Sequence, residues 1–114
     1  MRSLSIQVQP ERFPELDIEK VRQLFEEMKN NSLVEKYHFD EGEDKGHYLN
    51  FTYGSNDAES LWGLIKKEIY ENKLIGNGLL KCSMAMCSSE EGWDDYILLH
   101  HFDPKVPLES FNEL

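Results

Sequence analysis

The chain has 114 residues, 39% apolar and 11% aromatic, which is the composition of a folded protein rather than of a disordered or fibrous one. Its 22 acidic residues outnumber its 12 basic ones, and the net charge of −10 argues against direct binding to nucleic acid or to an anionic membrane. No apolar run could cross a bilayer, and the first residues lack the apolar core of a signal peptide. We therefore expect a soluble, cytoplasmic protein with one domain spanning residues 1–114.

The first half of the chain predicts a strand, a helix and a hairpin. Leu4–Gln9 alternates apolar and polar side chains, which is typical of a half-buried strand. Asp17 is a suitable N-cap for a helix to about Lys29, because apolar residues follow it at helical spacing. Strands are predicted at Leu33–Phe39 and His47–Tyr53, joined by an acidic turn of sequence DEGEDKG.

The second half predicts one more helix and two more strands. Asn56, with Glu59 three residues later, forms a variant of the capping box, and the helix is expected to end near Asn72–Gly76. Leu79–Cys87 predicts a long strand, and Asp95–Phe102 predicts a last strand that pairs with it.

The element order β-α-β-β-α-β-β predicts an α+β domain of the ferredoxin-like kind. Two helices would cover one face of an antiparallel sheet, and a C-terminal hairpin strand would extend that sheet to the spatial order 2-3-1-4-5. A short acidic tail follows from about residue 103 to residue 114. This topology carries no function by itself.

The two cysteines fall in the same predicted strand. Cys82 and Cys87 would point to opposite faces, about 16 Å apart, so no disulfide is expected, and free thiols suit a reducing compartment. Cys82, Met84 and Met86 would share one face; soft ligands of this kind suit Cu(I), but together with Leu80 they predict a row of core side chains. Because no zinc-type spacing occurs, no metal or cofactor is expected.

The tripeptide HFD occurs twice, at the ends of Tyr37–Asp40 and His100–Asp103. The topology places the two copies on opposite edge strands, about 19 Å apart, so they are not expected to form one site. The face of the sheet away from the helices is predicted to be polar, and Ile97, Leu99 or both would make its last edge partly apolar. Such a face is solvated, binds a small molecule or docks a protein. The polar residues predicted to project from it are Gln7, Gln9, Lys36, His38, Tyr48, Asn50, Thr52, Lys81 and Ser83.

The excess negative charge is concentrated in predicted turns, where a surface for a basic partner would need it. Trp93, in the turn Ser88–Asp95, is interpreted either as a binding anchor with a charged rim or as a lid on its own hairpin. Tyr48 is a second candidate anchor. The predicted partner-binding residues are Glu90, Glu91, Trp93, Asp94 and Asp95 in one group, and Asp40, Glu41, Glu43, Asp44 and Tyr48 in the other.

In size, acidity and lack of catalytic motifs, the chain is similar to the immunity proteins and antitoxins that neutralise bacterial nuclease toxins. This likeness transfers no site residue; it implies an inhibitor that occludes the active site of a basic, nuclease-like toxin. The two acidic turns are expected at opposite ends of the sheet, so one partner would use one of them, unless the tail supplements the first.

The alternative is a dimeric, ferredoxin-like protein that binds a small molecule or acts as a cofactor-free enzyme. It would use the open sheet face, with His38, Tyr48 and Asn50 next to the ligand, and it would associate as a homodimer through the sheet. The sequence shows no general-base constellation, and this favours a binding protein over an enzyme.

Overall fold

A computed structural model describes all 114 residues. It is an α+β protein whose main elements are β1 (Arg2–Val8), α1 (Ile18–Met28), β2 (Lys36–Glu43), β3 (His47–Ser55), α2 (Ala58–Ile65), α3 (Gly76–Cys82), β4 (Ser83–Ser89) and β5 (Gly92–His100). The five strands form one antiparallel sheet in the order β2-β3-β1-β4-β5, the order predicted from the sequence. A π-helical turn, Lys66–Tyr70, extends α2, and two 3₁₀ turns lie at Pro10–Arg12 and Phe111–Glu113.

The core lies between one face of the sheet and the helices. Leu4, Ile6 and Val8 of β1 are fully buried, as the alternation in the sequence predicts. The apolar stripes of α1 and α2 complete a single cluster of 22 buried residues. In its centre the rings of Phe25, on α1, and Phe51, on β3, stack with their centroids 4.5 Å apart.

The two long helices begin at aspartate caps. Asp17 caps α1 as predicted, since its Oδ1 accepts a hydrogen bond of 3.1 Å from the Lys20 backbone N–H. For α2 the predicted cap, Asn56, is wrong by one residue. Asp57 holds that position and accepts a hydrogen bond of 3.2 Å from the Ser60 N–H. Either polar residue suits a cap, so the sequence alone does not choose between them.

The sequence does not predict the helix α3, because the glycines of GNG, at residues 76–78, are typical of the end of the preceding helix. Gly76 and Gly78 are instead the places where α3 packs most closely against its surroundings. A Cβ on Gly76 would collide with the Tyr70 carbonyl oxygen, and one on Gly78 would lie 2.7 Å from the Phe13 ring. The glycines therefore allow α3 to approach the Tyr70 backbone and the Phe13 ring closely, and they do not end a helix here.

The strand β4 consequently begins at Ser83, not at Leu79, and its sides are the reverse of those predicted. Ala85 and Cys87 face the core, while Met84 and Met86 lie half-buried on the opposite face. Of the predicted core row, Cys82 lies in the core, but Leu80 is exposed and the two methionines face the other way, because a shift of one residue exchanges the two faces of a strand. Cys82 ends α3, so the expectation that the two cysteines share a strand and point to opposite faces is wrong; both are free and buried in the same core.

The first hairpin is longer than predicted. The strand β2 begins at Lys36 and continues to Glu43, so most of the expected acidic turn is strand. Only residues 44–46 turn, with Lys45 at a φ of 59°. The carboxylates of Asp40, Glu41 and Glu43 therefore line an edge strand instead of a loop.

The last strand differs in its bounds and in its buried side. It spans Gly92–His100, which shortens the turn after β4 to Glu90 and Glu91. Ile97 and Leu99 face the helices and are buried, so they do not form the expected apolar row on the open face.

The acidic tail folds back on the edge of β5. The Glu109 N–H donates to the Leu98 carbonyl at 2.8 Å, and the Leu98 N–H donates to the Glu109 carboxylate at 3.0 Å. Phe111 and Leu114 pack against the core cluster. The tail thereby covers part of an edge strand that would otherwise present unpaired backbone groups.

Candidate functional site

The two acidic groups of the sequence lie at opposite ends of the sheet. Leu4, near the start of β1, pairs with Cys87, so the turn between β4 and β5 lies at the end where β1 begins. Val8, at the end of β1, pairs with Leu49, so the turn between β2 and β3 lies at the other end. One flat partner surface would therefore contact one group and not both.

The hairpin formed by residues 88–96, called here the acidic hairpin, contains a large irregularity in its strand pairing. Ser88 pairs with Tyr96, whereas the next residue, Ser89, pairs with Gly92. Three residues of β5, from Trp93 to Asp95, therefore have no counterpart in β4. Bulges of this kind bend a strand and change the direction of its side chains.

Two aromatic rings lie exposed on the acidic hairpin. The side chain of Trp93 is 44% exposed and that of Tyr96 is 51% exposed. Their ring centroids are 6.4 Å apart, within the usual range for aromatic pairs. Trp93 is absent from the core cluster, so its interpretation as a lid that folds onto the core is wrong. Tyr96, which the sequence did not single out, enlarges the exposed aromatic surface.

The carboxylates around these rings have no partner within the chain. No ion pair or side-chain hydrogen bond involves the four acidic side chains of this hairpin, which belong to Glu90, Glu91, Asp94 and Asp95. The backbone beneath them is held in place, since Ser89 Oγ donates to the Gly92 carbonyl at 3.1 Å and the Ser3 N–H donates to Ser88 Oγ at 2.9 Å. The hairpin thus presents unpaired charge on a braced turn.

Two of the acidic residues in the other group already have hydrogen-bond partners within the chain. Glu41 accepts hydrogen bonds of 2.9 Å from Arg22 and from His47. Both bonds lower the pKa of its carboxyl from the ordinary value, and the bond from Arg22 has the larger effect. Asp40 accepts a bond of 3.3 Å from Asn50 and lies 3.5 Å from the His38 ring. Glu43 and Asp44 make no side-chain contact of this kind.

Tyr48, assigned to the same group, packs against its own hairpin. Its hydroxyl lies 2.7 Å from the position that a Cβ on Gly42 would take. The ring is half-buried over that glycine, so it is a weaker anchor candidate than Trp93. The two groups therefore differ in how many of their side chains already have a partner within the chain.

The first HFD copy, His38–Asp40, lies on the edge strand β2. The second, His101–Asp103, follows the end of the opposite edge strand β5, so the two copies share no site, as predicted. His38 is exposed beside Asp40. His100 is half-buried: its Nε2 lies 2.9 Å from the Leu80 carbonyl oxygen and its ring meets the edge of Tyr70. Burial lowers the pKa of His100, because loss of water disfavours the charged form of the ring.

The open face of the sheet is polar near its middle and apolar towards the β5 edge. Ser5, Gln7 and Thr52 lie near its middle, and Met84, Met86 and Leu98 lie towards β5. Two residues predicted for this face are elsewhere. Ser83 is fully buried against the Tyr70 hydroxyl, 2.7 Å away, and Lys81 lies on α3.

A polar cleft at the end of this face was also missed. It has a volume of about 340 Å³ and lies between the turn of β2 and β3 and the 3₁₀ turn after β1. The residues missed are Glu11, Arg12, Lys45, Gly46 and His47. No short-range signal marks them, because two separate turns bring them together.

In comparisons with protein-family models, curated proteins and solved structures, nothing matched this chain. None of the helices combines the length and the apolar character needed to cross a membrane. No group of three or more His, Cys, Asp and Glu side chains is arranged so that it could bind a metal ion.

Proposed function

We propose that the chain is a small acidic binding protein that neutralises a basic protein partner and contacts it through the acidic hairpin. The observation that carries this proposal is the exposed pair of Trp93 and Tyr96, rimmed by four carboxylates without partners in the chain. Aromatic residues inside a polar rim have the composition of a binding hot spot. A net charge of −10 would add long-range attraction to a basic surface.

In the proposed mechanism, the carboxylates and the aromatic rings act on different steps of binding. The carboxylates of Glu90, Glu91, Asp94 and Asp95 would accelerate encounter and orient the partner, because charges at a rim act mainly on the association rate. Trp93 and Tyr96 would lose water in the complex and slow dissociation. Neither step requires a catalytic group.

For the partner we propose a nuclease-like toxin. The protein would then be an immunity or antitoxin-type inhibitor that acts in the cytoplasm. A nuclease needs Lys and Arg side chains to hold phosphates, and four free carboxylates on one hairpin could occupy those cations and block the site. The strand order and the helical crossovers after β1 and β3 support a ferredoxin-like fold extended by β5.

The test begins with affinity capture from the native host, identification of the co-purifying chain by mass spectrometry, and its expression as a pure protein. The double variant Glu90→Lys with Asp94→Lys should slow association with that chain and flatten its salt dependence. Trp93→Ala should instead accelerate dissociation, at a cost of about 2 kcal/mol or more in binding free energy.

A matched control reverses the same amount of charge at the other end of the sheet. Glu43→Lys with Asp44→Lys should leave the association rate closer to that of the wild type than the hairpin variant does. Equal affinity of all three variants and the wild type, with folding confirmed by circular dichroism, would remove the acidic hairpin from the interface. A bound basic chain without nuclease activity would reject the toxin assignment alone.

The alternative, a homodimer that uses the open sheet face, is favoured by one observation. Met84, Met86 and Leu98 place three half-buried apolar side chains together on that face. A dimer through them should dissociate in the variant Met86→Lys. Sedimentation of the wild-type protein as a monomer at micromolar concentration would remove this alternative.

A further inference from the structure

The polar cleft lies at the opposite end of the sheet from the acidic hairpin and has no part in the proposed contact. Its volume of about 340 Å³ is near the lower end of the range for small-molecule sites. Its lining includes the cations Arg12 and Lys45, the carboxylates Glu11 and Asp44, and the amides Gln7 and Asn50. The lining therefore combines both signs of charge without a net excess.

Arg12 makes two contacts within the chain but has no ion pair. Its Nε donates a hydrogen bond to Gln9 Oε1, and its guanidinium lies 3.7 Å from the centre of the Phe102 ring. Gln9 is itself held, because its Nε2 donates to Gln7 Oε1 at 2.7 Å. These contacts use one nitrogen and one face of the guanidinium. The two terminal nitrogens remain available for a bidentate contact with a carboxylate.

The negative side of the cleft is built around Glu11. Its Oε1 accepts only a long hydrogen bond of 3.4 Å from the His47 backbone N–H, and its carboxylate has no ion pair. Gly46, at a φ of 133°, leaves space for this carboxylate, since a Cβ there would lie 3.2 Å from Glu11 Oε2. Asp44 contributes a second carboxylate without an ion pair to the same lining.

We propose that this cleft binds a small zwitterion of the α-amino-acid class. The carboxylate of the ligand would meet Arg12, with Lys45 nearby, and its ammonium group would meet Glu11 and Asp44. A dianion such as phosphate is disfavoured because two carboxylates line the cleft and the whole molecule carries −10. A neutral ligand would leave both the cations and the carboxylates of the cleft without a charged partner.

The test titrates the full-length, isotope-labelled protein with each of the common amino acids and follows backbone amide resonances by NMR. One or a few of them should shift the resonances of Gln7, Gly46 and Asn50 at concentrations up to about 10 mM. The N-acetylated and the carboxamide forms of the same amino acid should each bind at least about tenfold more weakly, because each lacks one of the two charges.

Two variants and two controls locate the binding in this cleft. Arg12→Gln and Glu11→Gln should each weaken binding about tenfold or more. Lys67→Gln and Glu68→Gln change the net charge by the same amounts on the π-helical turn and should bind as the wild type does. The proposal is overturned if no amino acid shifts the cleft resonances, if the blocked forms bind equally well, or if inorganic phosphate binds more tightly than any amino acid.

Discussion

Tyr53 joins the sheet to α1 through one buried hydrogen bond. Its hydroxyl donates to the Phe25 carbonyl at 2.6 Å, in a part of the core that water does not reach. In the variant Tyr53→Phe that carbonyl loses its buried donor, and we expect the free energy of unfolding to fall by about 1–2 kcal/mol. Chemical denaturation monitored by circular dichroism measures the change.

Tyr37 provides the matched control for this substitution. Its hydroxyl donates to Glu26 at 2.7 Å, but the bond lies at the surface, where water can replace it. Tyr37→Phe should therefore cost less than about 0.5 kcal/mol. If the two variants were equally stable, the buried bond of Tyr53 would have no special role in joining sheet and helix.

The two thiols should make the protein less stable in alkali. Burial raises the pKa of Cys82 and of Cys87 from 9.0 to about 11, so the folded state holds these protons more tightly than the unfolded state does. Each thiol then contributes stability that is complete below pH 9.0 and is lost as the pH rises from 9.0 towards about 11.

The measurement is the free energy of unfolding in urea across that pH range, under reducing conditions. The double variant Cys82→Ala with Cys87→Ala should be less stable at neutral pH, but its stability should decline less between pH 9 and pH 11. A wild-type stability that rises with pH over this interval would contradict the burial of the thiols.

At the scale of the elements, the glycines of the helical crossover have opposite roles. Gly63, on α2, has open space where a Cβ would lie, so Gly63→Ala should stabilise the protein by about 0.5–1 kcal/mol through helix propensity. Gly76→Ala should destabilise it by about 2 kcal/mol or more, because its Cβ would collide with the Tyr70 carbonyl. Thermal unfolding of the two variants should shift in opposite directions; a shared direction would contradict the tight packing of α3.

The sequence predicted the helix α1 and most strands because local periodicity displays them, and it predicted the α+β class and the strand order because the order of those elements restricts the topology. The helix α3 was not predicted because glycines usually end helices. Only the contacts with Phe13 and Tyr70 show why Gly76 and Gly78 are part of this helix. A signal was nevertheless present: Ile75, Leu79 and Cys82 are buried at helical spacing.

The error in β4 has a related cause. Met84 and Met86 are the larger apolar side chains of this strand, so hydrophobicity favoured placing them in the core. The small residues Ser83 and Ala85 are inside instead, fully buried on the face towards the helices. Side-chain size at an inner position is decided by the elements packed against it, which no single strand reveals.

Only part of the candidate site could be predicted from the sequence. The carboxylates beside Trp93 are neighbours in sequence, so their clustering is visible without a structure. The pairing of Ser88 with Tyr96, which leaves Trp93–Asp95 unpaired, depends on the register of two strands. Likewise, the occupation of Glu41 by Arg22 and His47 arises from tertiary contacts.

At the scale of the whole molecule, the sheet separates two surfaces of different chemistry. The acidic hairpin, with Trp93 and Tyr96, lies at one end, and the balanced polar cleft around Arg12 lies at the other. The tail adds charge along the edge of β5 but is tied to Leu98. Because the two surfaces share no residue, variants in one should leave binding at the other intact, and this independence makes the two proposals separately testable.

The net charge of the molecule sets a final expectation. Ten net negative charges repel one another within a chain of 114 residues, and only Arg22 and Lys29 form Lys or Arg ion pairs with carboxylates. Salt screens this repulsion over about 10 Å at 0.1 M, so the melting temperature should rise between low and physiological ionic strength. Replacing Glu90 and Asp94 by lysine removes part of the repulsion and should both raise the melting temperature in low salt and reduce its increase with salt. Calorimetry at several concentrations of sodium chloride measures both effects. A melting temperature that falls steadily as salt is added would show that favourable ion pairs outweigh the repulsion, contrary to the distribution of unpaired carboxylates described above.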